Sequence, residues 1–489
     1  MNFDQIPSNL RVPLAYIEFN NSRAVSGTPG LPYKKLFIGQ RLSTGSIAAG
    51  SLVRITSDGA AEAAFGRGSM LAEMLKAGLK AERFIESWAI ALDEDAEGNA
   101  GGGAITLTGP ATAAGTLNVY IAGTRVRIGV AEGAIANDIA TALAAGINAN
   151  TTLPVVAEVD GSEAHKVNLL CRWKGATGND IDIRLNYFTG ESLPLGVGVT
   201  ITAMSGGTAN PDIITALAAM GDEWFNVIAI PYTDASNLNA LRDDLIERWG
   251  PMVMQEGIAF SVFRGSLGDT STFGNTRNDH LLTVMGSNLT PTAPWIWAAV
   301  NAAVAAGSLN VDPARPLQTL RLPGILPPAP EHRWRLEERN MLLFDGISTY
   351  NVDAGGNVLI ERQITTYQTN AFGVPDPSYL DVNTPATLGY IRFAIRARIT
   401  QKFPRHKLAD DGTRADPGQA IVTPSDIRNE LLVLFRELEA KGLVENFDQY
   451  KEDLIVVRDA DDKNRVNVLG APDLVNQFRI FAMQNQFIV

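Results

Sequence analysis

The sequence predicts an α/β protein in several parts. Its core is an open, mostly parallel sheet, interrupted by an inserted β-rich domain. An α+β C-terminal domain follows, and extended N- and C-terminal arms complete the chain. Three observations carry this prediction. From Pro211 short apolar runs alternate with helical patterns, the rhythm of a sheet covered by helices. Two Gly-rich breaks, Glu97–Gly103 and Ser205–Asn210, bracket a stretch dense in strand-like runs. Both chain ends are apolar and extended, a pattern that needs a surface to pack on or an edge to pair with.

A chain of 489 residues is too long for one ordinary domain. With 45% hydrophobic and 19% charged residues it can bury a large core, which excludes wholesale disorder. A formal net charge of −12 argues against a nucleic-acid partner, because proteins that wrap phosphates present a basic face. Cys171 is the single cysteine, so an internal disulfide framework and a multi-thiolate metal site are excluded. The N-terminus has no basic region followed by an apolar run, and the longest apolar stretches, such as Ile296–Ala306, are shorter than a membrane span. A soluble chain made in the cytoplasm, without membrane insertion, is expected.

Residues 1–35 carry Pro7, Pro13, Pro29 and Pro32, which hold the backbone extended. Phe3, Ile6, Leu10, Val12, Tyr16, Ile17 and Phe19 make this arm too apolar to hang free. The first part of the core spans 36–96, with a helix capped by Ser69 and a strand at Phe84–Leu92. The insertion spans 97–210. Its strands are expected at Ala104–Thr108, Thr116–Ile121, Arg125–Val130, Val155–Val159, Lys166–Cys171, Ile181–Tyr187 and Val197–Ala203. Ala122-Gly123-Thr124 marks a hairpin turn, and Ile135, Ile139, Leu143 and Ile147 mark a helix. The Gly-rich borders read as flexible joints.

The core resumes over 211–383. Phe225–Pro231, Gly257–Phe263 and His280–Met285 read as buried parallel strands. Helices lie around Leu238–Ile246, stopping near Gly250, and at Trp295–Ala306, and a proline-rich connection covers Val311–Pro330. The C-terminal domain spans 384–477. Ile391, Ile395, Ile399 and Phe403 form one helical stripe, and Thr423-Pro424-Ser425-Asp426 caps a second helix that Gly442 ends. Strands follow at Leu454–Arg458 and Arg465–Leu469. The last segment, 478–489, reads as a strand with Phe478, Ile480, Phe481, Phe487 and Ile488 and no partner in sight.

The chemistry-bearing motifs are missing. There is no phosphate loop, no GxGxxG after a strand, no HExxH and no nucleophile elbow. His165, His280, His332 and His406 are far apart and not at ligand spacing. Asp243-Asp244, Asp410-Asp411 and Asp461-Asp462 lie in polar stretches and read as solvated turns. No catalytic residue, metal or cofactor is expected. One charge feature stands out. Arg392, Arg396, Arg398, Lys402, Arg405 and Lys407 fall in a 391–407 stretch without an acid. Two readings remain open: a solubilising helix edge, or a docking face for an acidic partner.

The opening FDQIPSNLRVPLAYIEF resembles the start of tail sheath proteins of Mu-like phages. So do LFIGQRL and AGSLVRITSDGAAEAAFGRGSMLAEM. LTGPATAAGTLNVYIAGTRVRIGV, DIATALAAGINANTTLPVVAEV and KGATGNDIDI are similar to the insertion of that family, and TTYQTNAFGVPDPSYLDVNTPATLGYIR to its entry into the C-terminal domain. The resemblance covers nearly the whole chain. It implies a non-enzymatic subunit that polymerises with itself as stacked rings around a tail tube and contracts to drive the tube through the host envelope. Its other partners would be the tube, baseplate and tail terminator proteins. Its location would be the virion tail after assembly in the host cytoplasm. On this plan 384–477 faces the tube, the insertion lies outward, and both arms add strands to neighbouring subunits. The six cations from Arg392 to Lys407 become candidates for gripping the tube. A sheath from a headless contractile device fits equally well. An α/β hydrolase-like enzyme and a carbohydrate-binding insertion, with Tyr120, Trp173, Tyr187 and Phe188, are the readings from other classes.

Overall fold

A computed structural model describes residues 30–414, 416 and 418–488. The chain opens with β1 (Lys34–Gln40), β2 (Leu52–Ile55), α1 (Asp58–Phe65), α2 (Met70–Ala81) and β3 (Glu86–Leu92). The Ser69 hydroxyl accepts from the Ala72 amide, the N-cap bond its position predicts. β1 is buried on both faces, as a strand inside a parallel sheet must be. Its Lys35 is buried too, and its ammonium donates to the Glu82 carbonyl at the end of α2. Burial pushes that ammonium down to about 8, against the pull of the Glu82 carboxylate.

Next come β4 (Ala100–Thr108), β5 (Gly115–Ile121), β6 (Thr124–Val130), α3 (Ala136–Ala149), β7 (Val155–Val159), β8 (Lys166–Lys174), β9 (Ile183–Leu185) and β10 (Gly198–Ser205). They form two antiparallel sheets, ordered β10-β4-β8-β7 and β6-β5-β9. The β5–β6 turn has positive φ at both Ala122 (50°) and Gly123 (81°), as a two-residue hairpin of this hand requires.

The Gly-rich borders are not flexible joints. They pair with each other: the Asn99 amide donates to the Thr208 carbonyl at 3.2 Å and the Thr208 amide returns the bond at 3.1 Å. Their glycines serve close approach. A Cβ on Gly207 would stand 2.4 Å from the Gly175 carbonyl oxygen, and one on Gly101 would stand 2.9 Å from the Gly178 carbonyl carbon.

The chain continues with α4 (Ile214–Met220), β11 (Val227–Ala229), α5 (Ala235–Trp249), β12 (Ile258–Phe263), α6 (Leu267–Gly274), β13 (Leu282–Gly286), α7 (Pro294–Val311), α8 (Leu336–Phe344), β14 (Thr349–Val352) and β15 (Val358–Arg362). The large sheet runs β13-β12-β11-β1-β3-β2, parallel throughout except where β2 meets β3. Alternate side chains of β1 divide its two cores. Phe37 packs in the cluster that holds Leu71, Met74 and Ala299 from α2 and α7. Leu36 and Ile38 point the other way, among Leu217, Leu238, Leu241 and Leu245 from α4 and α5. Strands β1 and β2, helices α1, α4, α6 and α8 and the β14–β15 hairpin lie outside the elements expected from the sequence, and β1 begins inside the stretch read as an extended arm.

The last elements are α9 (Asn383–Lys402), β16 (Lys407–Leu408), β17 (Ile421–Val422), α10 (Pro424–Ala440), β18 (Val444–Glu445), α11 (Phe447–Asp453), β19 (Ile455–Arg458), β20 (Val466–Leu469) and β21 (Asp473–Leu474). The predicted cap forms: Thr423 and Asp426 exchange side chain-to-backbone bonds as a capping box. Phe435 stacks on Tyr450 at 4.1 Å in the core of this part. The chain divides into two compact units, one of 32–389 with 476–488 and one of 390–475, and the division falls inside α9. The predicted terminal strand does not form. Residues 476–488 pair with no strand among the described residues.

Candidate assembly surfaces

In the 390–475 unit, the stripe of α9 and the apolar face of α10 meet along a groove. Ile391, Ile395, Ile399, Leu431, Val466 and Val468 line it, with an open volume of about 390 Å³. β20 supplies its third wall and, among the described residues, pairs only with β19. A lone two-stranded hairpin is marginal in water, and both of its edges can accept another strand. Its apolar residues stay wet: Ile455 is 51% exposed and Val468 49%.

The C-terminal segment is apolar and exposed. Phe478, Ile480, Phe481, Phe487 and Ile488 are exposed to between 72% and 100%. The corresponding N-terminal candidates, Phe3, Ile6, Leu10, Val12, Tyr16, Ile17 and Phe19, lie outside the described residues.

The cation run does not form one face. Arg398 is a correction to the sequence reading: it is buried and turned inward, donating to Glu430 at 2.7 Å and to Glu437. Both acids come from α10, so the guanidinium ties α9 to α10 and is not presented to a partner. Lys402 stands 3.8 Å from Glu430 with its side chain over half exposed. Arg396 and Arg405 are exposed, Arg392 is half-buried, and the exposed Lys407 donates to Gln419 at 3.0 Å.

The positions raised for chemistry have structural surroundings. His280 lies against Trp249 and Tyr379, and burial lowers its pKa. The Cys171 thiol is buried, which pushes it up to about 12 and away from the reactive thiolate. Among the described residues no helix is long and apolar enough to cross a membrane. Sequence reasoning missed the groove wall of Val466 and Val468, whose alternation marked a strand but not what it faced.

Residues 206–366 match the central domain of phage tail sheath proteins, and 374–488 match the tail sheath C-terminal domain. The Mu-like prophage FluMu tail sheath protein of Haemophilus influenzae is 50% identical over 489 residues, spanning 100% of both chains. This chain belongs to the phage tail sheath family. It is a structural tail component and not an enzyme. Solved structures with some similarity include a sheath tail protein of Desulfitobacterium hafniense, at 16% identity and TM-score 0.48 over 94% of this chain and 100% of that one. Another is the helical sheath of the anti-feeding prophage in its contracted state, at 11% identity and TM-score 0.49 over 98% and 99%.

The burial of Arg398 yields a stability prediction. Arg398→Ala removes the cation shared by Glu430 and the more exposed Glu437 and should cost about 2 kcal/mol. Exposed Arg396→Ala should change stability by no more than about 0.5 kcal/mol. Chemical unfolding of both variants checks this, and equal effects contradict it.

Proposed function

We propose that this sheath protein polymerises helically around a tail tube, held together by exchanged arms, and contracts to drive the tube through the host envelope. The observation that carries the reading is the coexistence of two incomplete halves. Among the described residues, an apolar C-terminal segment has no strand partner, and an open hairpin beside an apolar groove has no third strand. Strand addition from one copy to the next satisfies both, with backbone bonds for affinity and apolar side chains for register. Head-to-tail contacts of this kind generate rings where the rotation closes and helical tubes where it does not.

On this reading residues 97–210 lie outward and 384–477 face the tube. The tube-gripping cations are Arg392, Arg396, Lys402, Arg405 and Lys407; Arg398 is withdrawn from the set. The N-terminal arm makes the second link. Baseplate and terminator proteins close the ends of the tube. Assembly takes place in the host cytoplasm, and contraction needs no cofactor because the extended array is a metastable packing.

Two experiments test this. A chain ending at Arg479 should remain folded and soluble yet form no tubes under the electron microscope at concentrations where the full chain does; tubes from the shortened chain sink the arm reading. Arg396→Glu with Arg405→Glu should assemble into empty sheath as before but cosediment with tail tubes at least tenfold less. Undiminished tube binding removes the cations from that role.

A further inference from the structure

The C-terminal segment is held and released within a few residues. Asp381 lies between β15 and α9, in a bridge with Ile364. Its carboxylate gathers two guanidinium groups. Arg362 Nε donates to Oδ1 at 3.1 Å and Arg362 Nη2 to Oδ2 at 3.0 Å, while Arg479 Nη2 donates to Oδ1 at 3.0 Å. Gln318 holds the same segment from the other side. Its amide nitrogen donates to the Phe478 carbonyl at 3.4 Å, and its oxygen accepts from Arg479 Nη1 at 3.2 Å. The Gln477 amide donates to the Ala314 carbonyl at 3.1 Å. The Arg479 side chain is only 12% exposed and that of Asp381 only 19%. One residue later the hold ends: Ile480 is 80% exposed, and every residue from 481 to 488 is exposed.

Withdrawing a guanidinium from water is costly unless a carboxylate and further acceptors receive it. Here three successive residues, 477–479, are each fixed to the framework, and the nine that follow include five large apolar side chains left in water. A loose tail would meet partners from every direction and would lose its freedom only at capture. A tail with a fixed root explores a smaller volume, so its effective concentration at a site in its path is higher and its ordering cost lower. Nine extended residues span about 30 Å, enough to reach a neighbouring molecule.

We propose that Arg479, with Asp381 and Gln318, is a launching clamp that orients residues 480–488 for capture by a second copy of this chain. The inference rests on the arm-exchange reading above. These are positioning residues: the clamp binds no partner, and it sets where the captured segment starts.

The test measures three properties of the full-length chain with Arg479→Gln, and separately with Gln318→Ala. These are the thermal unfolding midpoint, amide hydrogen exchange at Phe478–Ile480, and the protein concentration at which tubes appear. Expected are an unchanged midpoint, faster exchange confined to the root, and a tube threshold raised about tenfold, equivalent to about 1.4 kcal/mol. Arg479→Lys keeps the charge without the planar fork and should fall between. A threshold equal to that of the parent chain overturns the clamp while leaving arm exchange intact. A threshold that rises only together with a lower midpoint also overturns it, since the cluster would then serve folding alone. Tube formation by the chain ending at Arg479 would fail the arm-exchange reading itself, and that outcome is separable from both.

Discussion

A strand edge with unpaired amides and carbonyls must find partners or be kept short, charged or covered. The larger unit pairs most of its strands in sheets of three to six. Its six-stranded sheet is covered on both faces by helices, and its three smaller sheets are antiparallel. The 390–475 unit does not: its β19–β20 hairpin ends in open edges beside a wet apolar groove. The same chain carries an apolar segment with nothing to pair with. On the proposed reading, that mismatch is what turns a folded subunit into a polymer subunit.

Rigidity in the larger unit complements these free ends. The 97–210 segment is bolted to the sheet that flanks it. Arg264 donates to Asp182 at 2.8 Å, Arg184 to the Leu289 carbonyl at 2.9 Å, and Tyr187 to the Pro327 carbonyl at 2.8 Å. Trp173 meets Trp295 edge to face at 5.3 Å. Together with the interlocked glycines of its borders, these bonds make the segment travel with its sheet. Freedom is left to the chain end beyond Arg479. A sheath that shortens without falling apart needs that division: stiff bodies that can rotate, and links that stay connected.

Much of this was legible in the sequence, and the limits have physical reasons. Val155–Val159 reads correctly to the residue because one face is buried and the period of two survives. The parallel strands β12 and β13 were legible because two-sided burial leaves uninterrupted apolar runs, whereas the parallel β1, whose run is opened by Lys34 and Lys35, was not expected. The Gly-rich borders misled because glycine serves both freedom and close approach, and only the neighbouring carbonyls tell the two apart. Arg398 and Arg396 look alike in sequence. Their difference is set by acids 32 and 39 residues further on, which only packing brings to Arg398. Asp381 lies 98 residues from Arg479 and was likewise invisible. Helices such as α1 and α8 are short and mixed in character, so neither periodicity nor length marked them.

The central claim is that the C-terminal segment of one copy occupies the groove and hairpin edge of another. Cysteine cross-linking tests it most directly, because the native Cys171 is buried and will not interfere. One preparation carries Val468→Cys; others carry Phe481→Cys, Met483→Cys or Phe487→Cys. Mixed in pairs, assembled into tubes and oxidised, at least one pair should give disulfide-linked dimers that vanish when assembly is blocked. Tubes that form normally while no pair cross-links would contradict the account.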